Sequence, residues 1–178
     1  MPDGVWDETS RYGDLRGYKH ETGEGLYRRT LYTIWKRTAA PPSMLLFDAP
    51  SREICTVKRS RTNTPLQALV LLNEVTYVEA AKKLAERMLS EGGSSIADRL
   101  TFGFRITTGR RPTPAEVEVL TSGLQSDQAR FATNKDTAKQ LLTIGESKPD
   151  SKFSPEELAA YTLTANVLLN LDEVVTRE

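Results

Sequence analysis

The sequence is short of the residues from which most compact catalytic and metal sites are built. Its 178 residues include one cysteine, Cys55, and one histidine, His20. A single cysteine excludes an internal disulfide framework. Together the two cannot furnish a His- or thiolate-rich zinc site or the Cys-x-x-Cys-His attachment of a c-type haem. Any Ser–His or Cys–His nucleophile would have to draw on His20. Net charge is also missing: 24 Lys+Arg balance 24 Asp+Glu, so no global field steers the chain toward a polyanion. No apolar run approaches the roughly 18 residues that span a bilayer. The opening Met1–Glu8 is acidic and polar, without the basic and apolar regions of a signal peptide. Neither a cofactor nor a metal is expected.

Helix-start chemistry is plentiful. Thr64-Pro65-Leu66-Gln67, Thr113-Pro114-Ala115-Glu116 and Ser154-Pro155-Glu156-Glu157 each set a hydroxyl at N-cap, proline at N1 and an amide or carboxylate at N3. In such a box the hydroxyl accepts from the N3 amide and the N3 side chain reaches back. Proline loses nothing, because its missing N–H would be unpaired anyway. Ser95-Ile96-Ala97-Asp98 reads as a fourth start, with Gly92-Gly93 stopping the preceding helix.

Apolar periodicity extends those starts into helices. Tyr77, Val78, Ala81, Leu84, Ala85, Met88 and Leu89 form one apolar stripe, with Glu79, Lys82, Lys83, Glu86 and Arg87 opposite and Asn73 as the expected cap. The helix from Ile96 is apolar on more than one side (Leu100 with Phe104, Phe102 with Ile106), which predicts a central position. Val117, Leu120, Leu124 and Phe131 mark the next helix, Thr137 to Ile144 another that stops at Gly145, and Leu158, Tyr161, Ala165, Leu168 and Leu169 the last. The expectation is an all-α fold: an irregular bundle of about five to seven helices forming a single domain over residues 1–178.

Within that domain, residues 1–25 carry Gly4, Gly13, Gly17, Gly23 and Gly25 and no period, so they read as an irregular, extended segment that docks on a surface. Residues 26–62 form a basic helix-and-loop segment, and residues 63–178 the bundle. Leu26 to Arg37 has the β-branched and aromatic content of a strand, but Tyr27, Leu31, Ile34 and Trp35 sit at helical spacing. A helix is expected there, then a short turn from Ser43 to Phe47.

Chemistry concentrates between Arg28 and Arg61, where eight basic residues face two acidic ones, Asp48 and Glu53. Tyr27, Tyr32 and Trp35 are interleaved with Arg28, Arg52, Arg59 and Arg61, and Asn63 opens the following helix. A positive groove with aromatic platforms suits an acidic polysaccharide or a single-stranded nucleic acid, and arginines beside helix N-terminal amides suit a phosphate, sulfate or carboxylate. The plainer alternative is that these arginines pair with acidic residues elsewhere and clamp loops. In the Gly-rich loop, His20 oriented by Glu21 or Glu24, and the carboxylate pair Glu21 and Glu24 itself, are the candidates for acid–base work. Cys55, among Ile54, Thr56 and Val57, is expected to be a buried inert thiol.

Gly23 to Thr38 (Gly-Glu-Gly-Leu-Tyr-Arg-Arg-Thr-Leu-Tyr-Thr-Ile-Trp-Lys-Arg-Thr), Pro41 to Met44, Phe47 to Pro50 and Cys55 to Leu69 resemble a C-terminal domain of unknown function. That domain occurs in large planctomycete-type proteins that also carry cytochrome-c-like domains. Phe104-Arg105, Thr108 to Thr113 and Leu169 to Glu173 also look like it. The resemblance implies an all-helical domain, a secreted or envelope-associated parent, other domains of that parent as partners, and a setting of polysaccharide-degrading systems. It supplies no reaction. The haem motif, signal peptide and preceding domain of such a parent are not in this sequence.

Two functions are therefore expected in order. The first is a non-catalytic helical interaction or scaffold module with an exposed apolar patch. The second is a polysaccharide-binding or polysaccharide-acting domain, with Trp35, Tyr27 and Tyr32 stacking sugars and Arg59 and Arg61 holding anionic groups. Nucleic acid is the least supported partner, because a neutral chain offers no counterion-release term beyond this patch.

Overall fold

The computed structural model describes residues 21–33, 35 and 40–176. The described residues are all-helical, with no strand, and the chain divides into two compact units, Met1–Thr62 and Asn63–Glu178. His20 and all but a few residues of the Gly-rich leader lie outside the described residues.

In the first unit an α-helix is expected from Leu26 to Arg37; its described residues, 26–33 and 35, form none, and Ile34, Lys36 and Arg37 lie outside the described residues. The chain makes two 3₁₀ turns, Gly23–Tyr27 and Thr30–Tyr32, and neither has a side-chain cap. Gly23 holds φ +65°, and Arg28, Arg29 and Thr33 are extended or nearly so. Without a capping hydroxyl, and with Thr30 and Thr33 branched at Cβ, helical spacing alone does not nucleate a helix. Helix α1, Pro42–Leu46, is one turn, closed by Phe47 and by Asp48 at φ +59°.

The second unit is a bundle of α2 (Pro65–Asn73), α3 (Val75–Glu91), α4 (Ile96–Thr108), α5 (Pro114–Thr133), α6 (Lys135–Leu142), α7 (Pro155–Leu169) and the single turn α8 (Asp172–Val175). Thr64 and Thr113 close full capping boxes: each hydroxyl accepts from the N3 amide, and Gln67 and Glu116 accept the Thr amides at 2.9 and 2.6 Å. Ser154 makes only half of one. Its hydroxyl accepts from Glu157 N at 3.2 Å, but the Glu157 carboxylate is drawn to the Arg99 guanidinium at 3.1 Å. Ser95 caps α4 as expected. Asn73 does not cap α3: its amide donates to Leu69 O at 2.8 Å, and the carboxylate of Glu74 accepts from Thr76 N instead.

The central helix is α7 rather than α4. Leu158, Ala159, Ala160, Tyr161, Ala165 and Leu168 are fully buried, and α7 packs against α3, α5 and α6 and also meets α2 and α4. Its three alanines let neighbouring backbones come close on several sides, which is what a middle helix requires. The second apolar side of α4 is only partly covered, with Phe102 packed at the edge of the core. Ile106 is exposed, and Phe102 is covered by the Arg87 guanidinium at 5.8 Å. Leu100 and Phe104 from α4, Met88 and Ala85 from α3, Leu124 and Phe131 from α5 and Leu142 from α6 complete one core.

Two charged residues expected on the outer face of α3 are inside. Lys82 is 1% exposed and Glu79 6%. The Lys82 ammonium donates to Leu142 O, Ile144 O and Ser147 O at 3.1, 2.8 and 2.7 Å. A Glu79 carboxylate oxygen accepts from Ser147 N at 2.5 Å. The pair thus holds the turn after α6, where Gly145 takes φ +85° with the Glu79 carboxylate against it.

Candidate basic site and the bundle-end cluster

The residues singled out for binding fall into three environments. In the first unit Tyr27 and Tyr32 are exposed, Tyr32 to 71%. Arg28, Glu21 and Glu24 are exposed too, and the Glu21 side chain lies over Gly25. Trp35 is half-buried, with the Arg52 guanidinium 4.7 Å from its ring centroid, a cation–π contact that occupies one face of the indole. Arg52 reaches it from a left-handed backbone at φ +65°.

Arg59 and Arg61 belong to a loop fixed on the turn after α1. Arg59 donates through Nε to Asp48 O at 2.8 Å and through Nη2 to Phe47 O. Three residues on, Thr62 donates both its amide and its hydroxyl to one carboxylate oxygen of Asp48, each at 2.8 Å. The positive φ of Asp48 turns its carbonyl toward Arg59 and its carboxylate toward Thr62. Short polar side chains tolerate that conformation better than most. Lys58, Arg59, Ser60 and Arg61 line an open hollow of about 430 Å³. Among the described residues no carboxylate pairs with Lys58, Arg59 or Arg61. Arg59 is held by backbone carbonyls, and the described residues place no carboxylate against it.

Cys55 is exposed, contrary to the expected burial, with Ile54 and Val57 also facing outward. Apolar neighbours in sequence do not bury a residue where the backbone turns no face inward. Among the described residues, no three His, Cys, Asp or Glu side chains form a group that could hold a metal. No helix among them is long and apolar enough to cross a membrane.

Asn63 sits in the second unit, and its amide donates to the Asp172 carboxylate at 2.5 Å. Near it lies a cluster that spacing does not announce. The Arg110 guanidinium bridges Glu116 at 2.5 and 3.0 Å and Glu173 at 2.7 and 2.9 Å, and stands 4.6 Å from the Phe104 ring centroid. This ties the end of α4, the start of α5 and α8 together. The Arg110 bonds, with those from Thr113, hold the Glu116 carboxyl down at about 2. The Arg110 guanidinium is correspondingly pushed up. The signal in the sequence is indirect: Thr108 to Thr113 and Leu169 to Glu173 are two of the strings carrying the family resemblance.

Family comparison agrees with that resemblance at the level of the domain. A family match covers residues 5–124, more than half of the chain. The chain belongs to the family described as PSD1, a protein of unknown function (DUF1553). The PSD1 match takes in the basic loop, Asn63 and helices α2 to α4, and ends inside α5. No curated protein and no solved structure matches the chain.

Proposed function

We propose that this chain is a non-catalytic helical interaction module, the terminal part of a larger secreted or envelope protein of the planctomycete type that also carries cytochrome-c-like domains. Its docking face is the outer side of α2. One observation carries the reading. On this nine-residue helix Leu66, Leu69 and Leu72 are 61, 57 and 44% exposed, while Gln67 is 1% and Leu71 8%. A glutamine inward and three leucines outward at i, i+3 and i+6 invert the usual arrangement. Single exposed leucines are ordinary. Three on one side of a firmly capped helix mark a contact surface, since covering what remains exposed of each contributes about 1–1.5 kcal/mol. The occupant that fits is another domain of the same parent protein.

The experiment is a calorimetric titration of the purified chain with the rest of the parent protein as a separate polypeptide. Saturable binding is expected, weakened on the order of a hundredfold by L66S/L69S/L72S with helicity unchanged. Binding indifferent to those substitutions overturns the docking face. Release of reducing ends from a polysaccharide at an ordinary enzymatic rate overturns the non-catalytic reading.

A second reading, a polysaccharide-binding or polysaccharide-acting surface, is supported by the outward tyrosines, Tyr27 and Tyr32, in the same unit as the basic loop. It predicts that Y27A/Y32A weakens retention on a polysaccharide column, and that turnover, if it occurs, depends on Glu21 or Glu24. A nucleic-acid partner predicts steeply salt-dependent retention on a phosphate matrix, and flat retention removes it.

A further inference from the structure

The hollow at Lys58–Arg61 goes beyond the docking reading, because it is polar, lies in the other unit and is built to hold charge still. We infer that it is a binding site for a compact ligand bearing two or more sulfate or phosphate esters. Three cationic residues fall within four positions and, with Ser60, line a hollow of about 430 Å³. That volume lies within the range of small-ligand sites and exceeds what a single oxyanion fills. The positive charges are not neutralised locally: among the described residues, none of the three has a carboxylate partner.

What sets this loop apart from ordinary surface lysines and arginines is its fixation. Arg59 spends Nε and one Nη2 hydrogen on the carbonyls of Asp48 and Phe47, which leaves Nη1 and the other Nη2 hydrogen for a ligand. Thr62 is held twice by the Asp48 carboxylate, so the loop is tied on both sides of Ser60 and Arg61. The Asp48 carboxylate is committed to positioning the loop. A guanidinium already oriented loses little freedom when it binds an ester oxygen, and a charge-assisted hydrogen bond to it is stronger than a neutral one. Lys58 adds a point charge and Ser60 a hydroxyl donor, the mixture that oxyanion recognition uses.

Isothermal titration of the full chain at low salt with sucrose octasulfate, and separately with inositol hexakisphosphate, tests the site. Saturable binding of at least one probe is expected, and the tighter of the two assigns the ester as sulfate or phosphate. K58S/R61S is expected to weaken binding on the order of tenfold or more, while K148S/K152S in the other unit leaves it unchanged. Asp48→Ala separates a fixed site from a diffuse one. Removing a negative charge tightens binding if only net charge matters, whereas releasing Thr62 weakens it if the loop must be held. Weakening by both K58S/R61S and D48A supports the site. No binding of either probe, equal losses in K58S/R61S and K148S/K152S, or tightening by D48A overturns it. None of these outcomes touches the α2 leucines, so the docking reading stands or falls separately.

Discussion

A lysine that is 1% exposed must find acceptors for its ammonium, and Lys82 finds three backbone carbonyls in the turn after α6. Burial among them pushes its pKa below the ordinary 10.5, with the Glu79 charge acting in the opposite sense. Replacement by methionine fills the space but strands those carbonyls, so K82M is expected to lose about 2–4 kcal/mol of unfolding free energy in a urea titration. A loss under 1 kcal/mol would mean that water satisfies the turn. Gly145 is held to its identity by the same pair. Its φ is +85°, and an added Cβ would stand 2.5 Å from the Glu79 carboxyl carbon. G145A is expected to cost about 1–3 kcal/mol on the same scale. Both effects are partly legible in the sequence. Lys82 stands at i+4 from Val78, i−3 from Ala85 and i−7 from Leu89, squarely within the apolar stripe. Sorting residues by charge hides this, because what buries a lysine is the loop it reaches, about sixty residues away in sequence.

Glu116 carries a pH dependence with a definite sign. Its carboxyl lies at about 2 in the folded chain against an ordinary 4.5, so the folded state binds this proton less tightly than the unfolded state. The stabilisation is complete above the unfolded value and is lost as pH falls through about 4.5 toward about 2. Thermal melts of wild type and E116Q are expected to differ at neutral pH and to converge once the carboxyl is protonated in both states. A gap that persists unchanged in strong acid would contradict the role of charge, since glutamine keeps the capping geometry.

Among the elements, those with chemical punctuation are readable and those without it are not. Thr64, Ser95, Thr113 and Ser154 start helices where their spacing says they should, because a capping hydroxyl acts through neighbours within one turn. The described part of residues 26–37 keeps helical spacing but falls in 3₁₀ turns with no side-chain cap. Asn73 loses its expected role because Glu74, one residue later, reaches the Thr76 amide. T64A and S154A are each expected to cost about 1 kcal/mol, read as a fall in thermal midpoint. A loss confined to one of them would show that the other helix is fixed by packing alone. The basic site is legible as a composition only. The Asp48 turn that fixes Arg59 and Thr62 depends on a backbone conformation that no periodicity reports.

At the scale of the molecule, two units divide the chemistry: the described part of the first carries the basic loop and the outward tyrosines, and the second, a helical bundle, carries the core. Hydrophobic content points to α4 as the middle of that bundle. Close packing instead favours α7, whose alanines admit neighbours on several sides. Helix α2 is where the functional reading rests, since its leucines are turned away from that core. The most direct test compares two variants of this one helix by thermal and urea unfolding. L71A, inside the core, is expected to lose about 2–5 kcal/mol, whereas L66S/L69S/L72S is expected to lose less than L71A although it changes three leucines, about 1–2 kcal/mol in all. A triple variant that unfolds as readily as L71A would show that the leucines are covered within the chain itself, and would contradict an outward docking face.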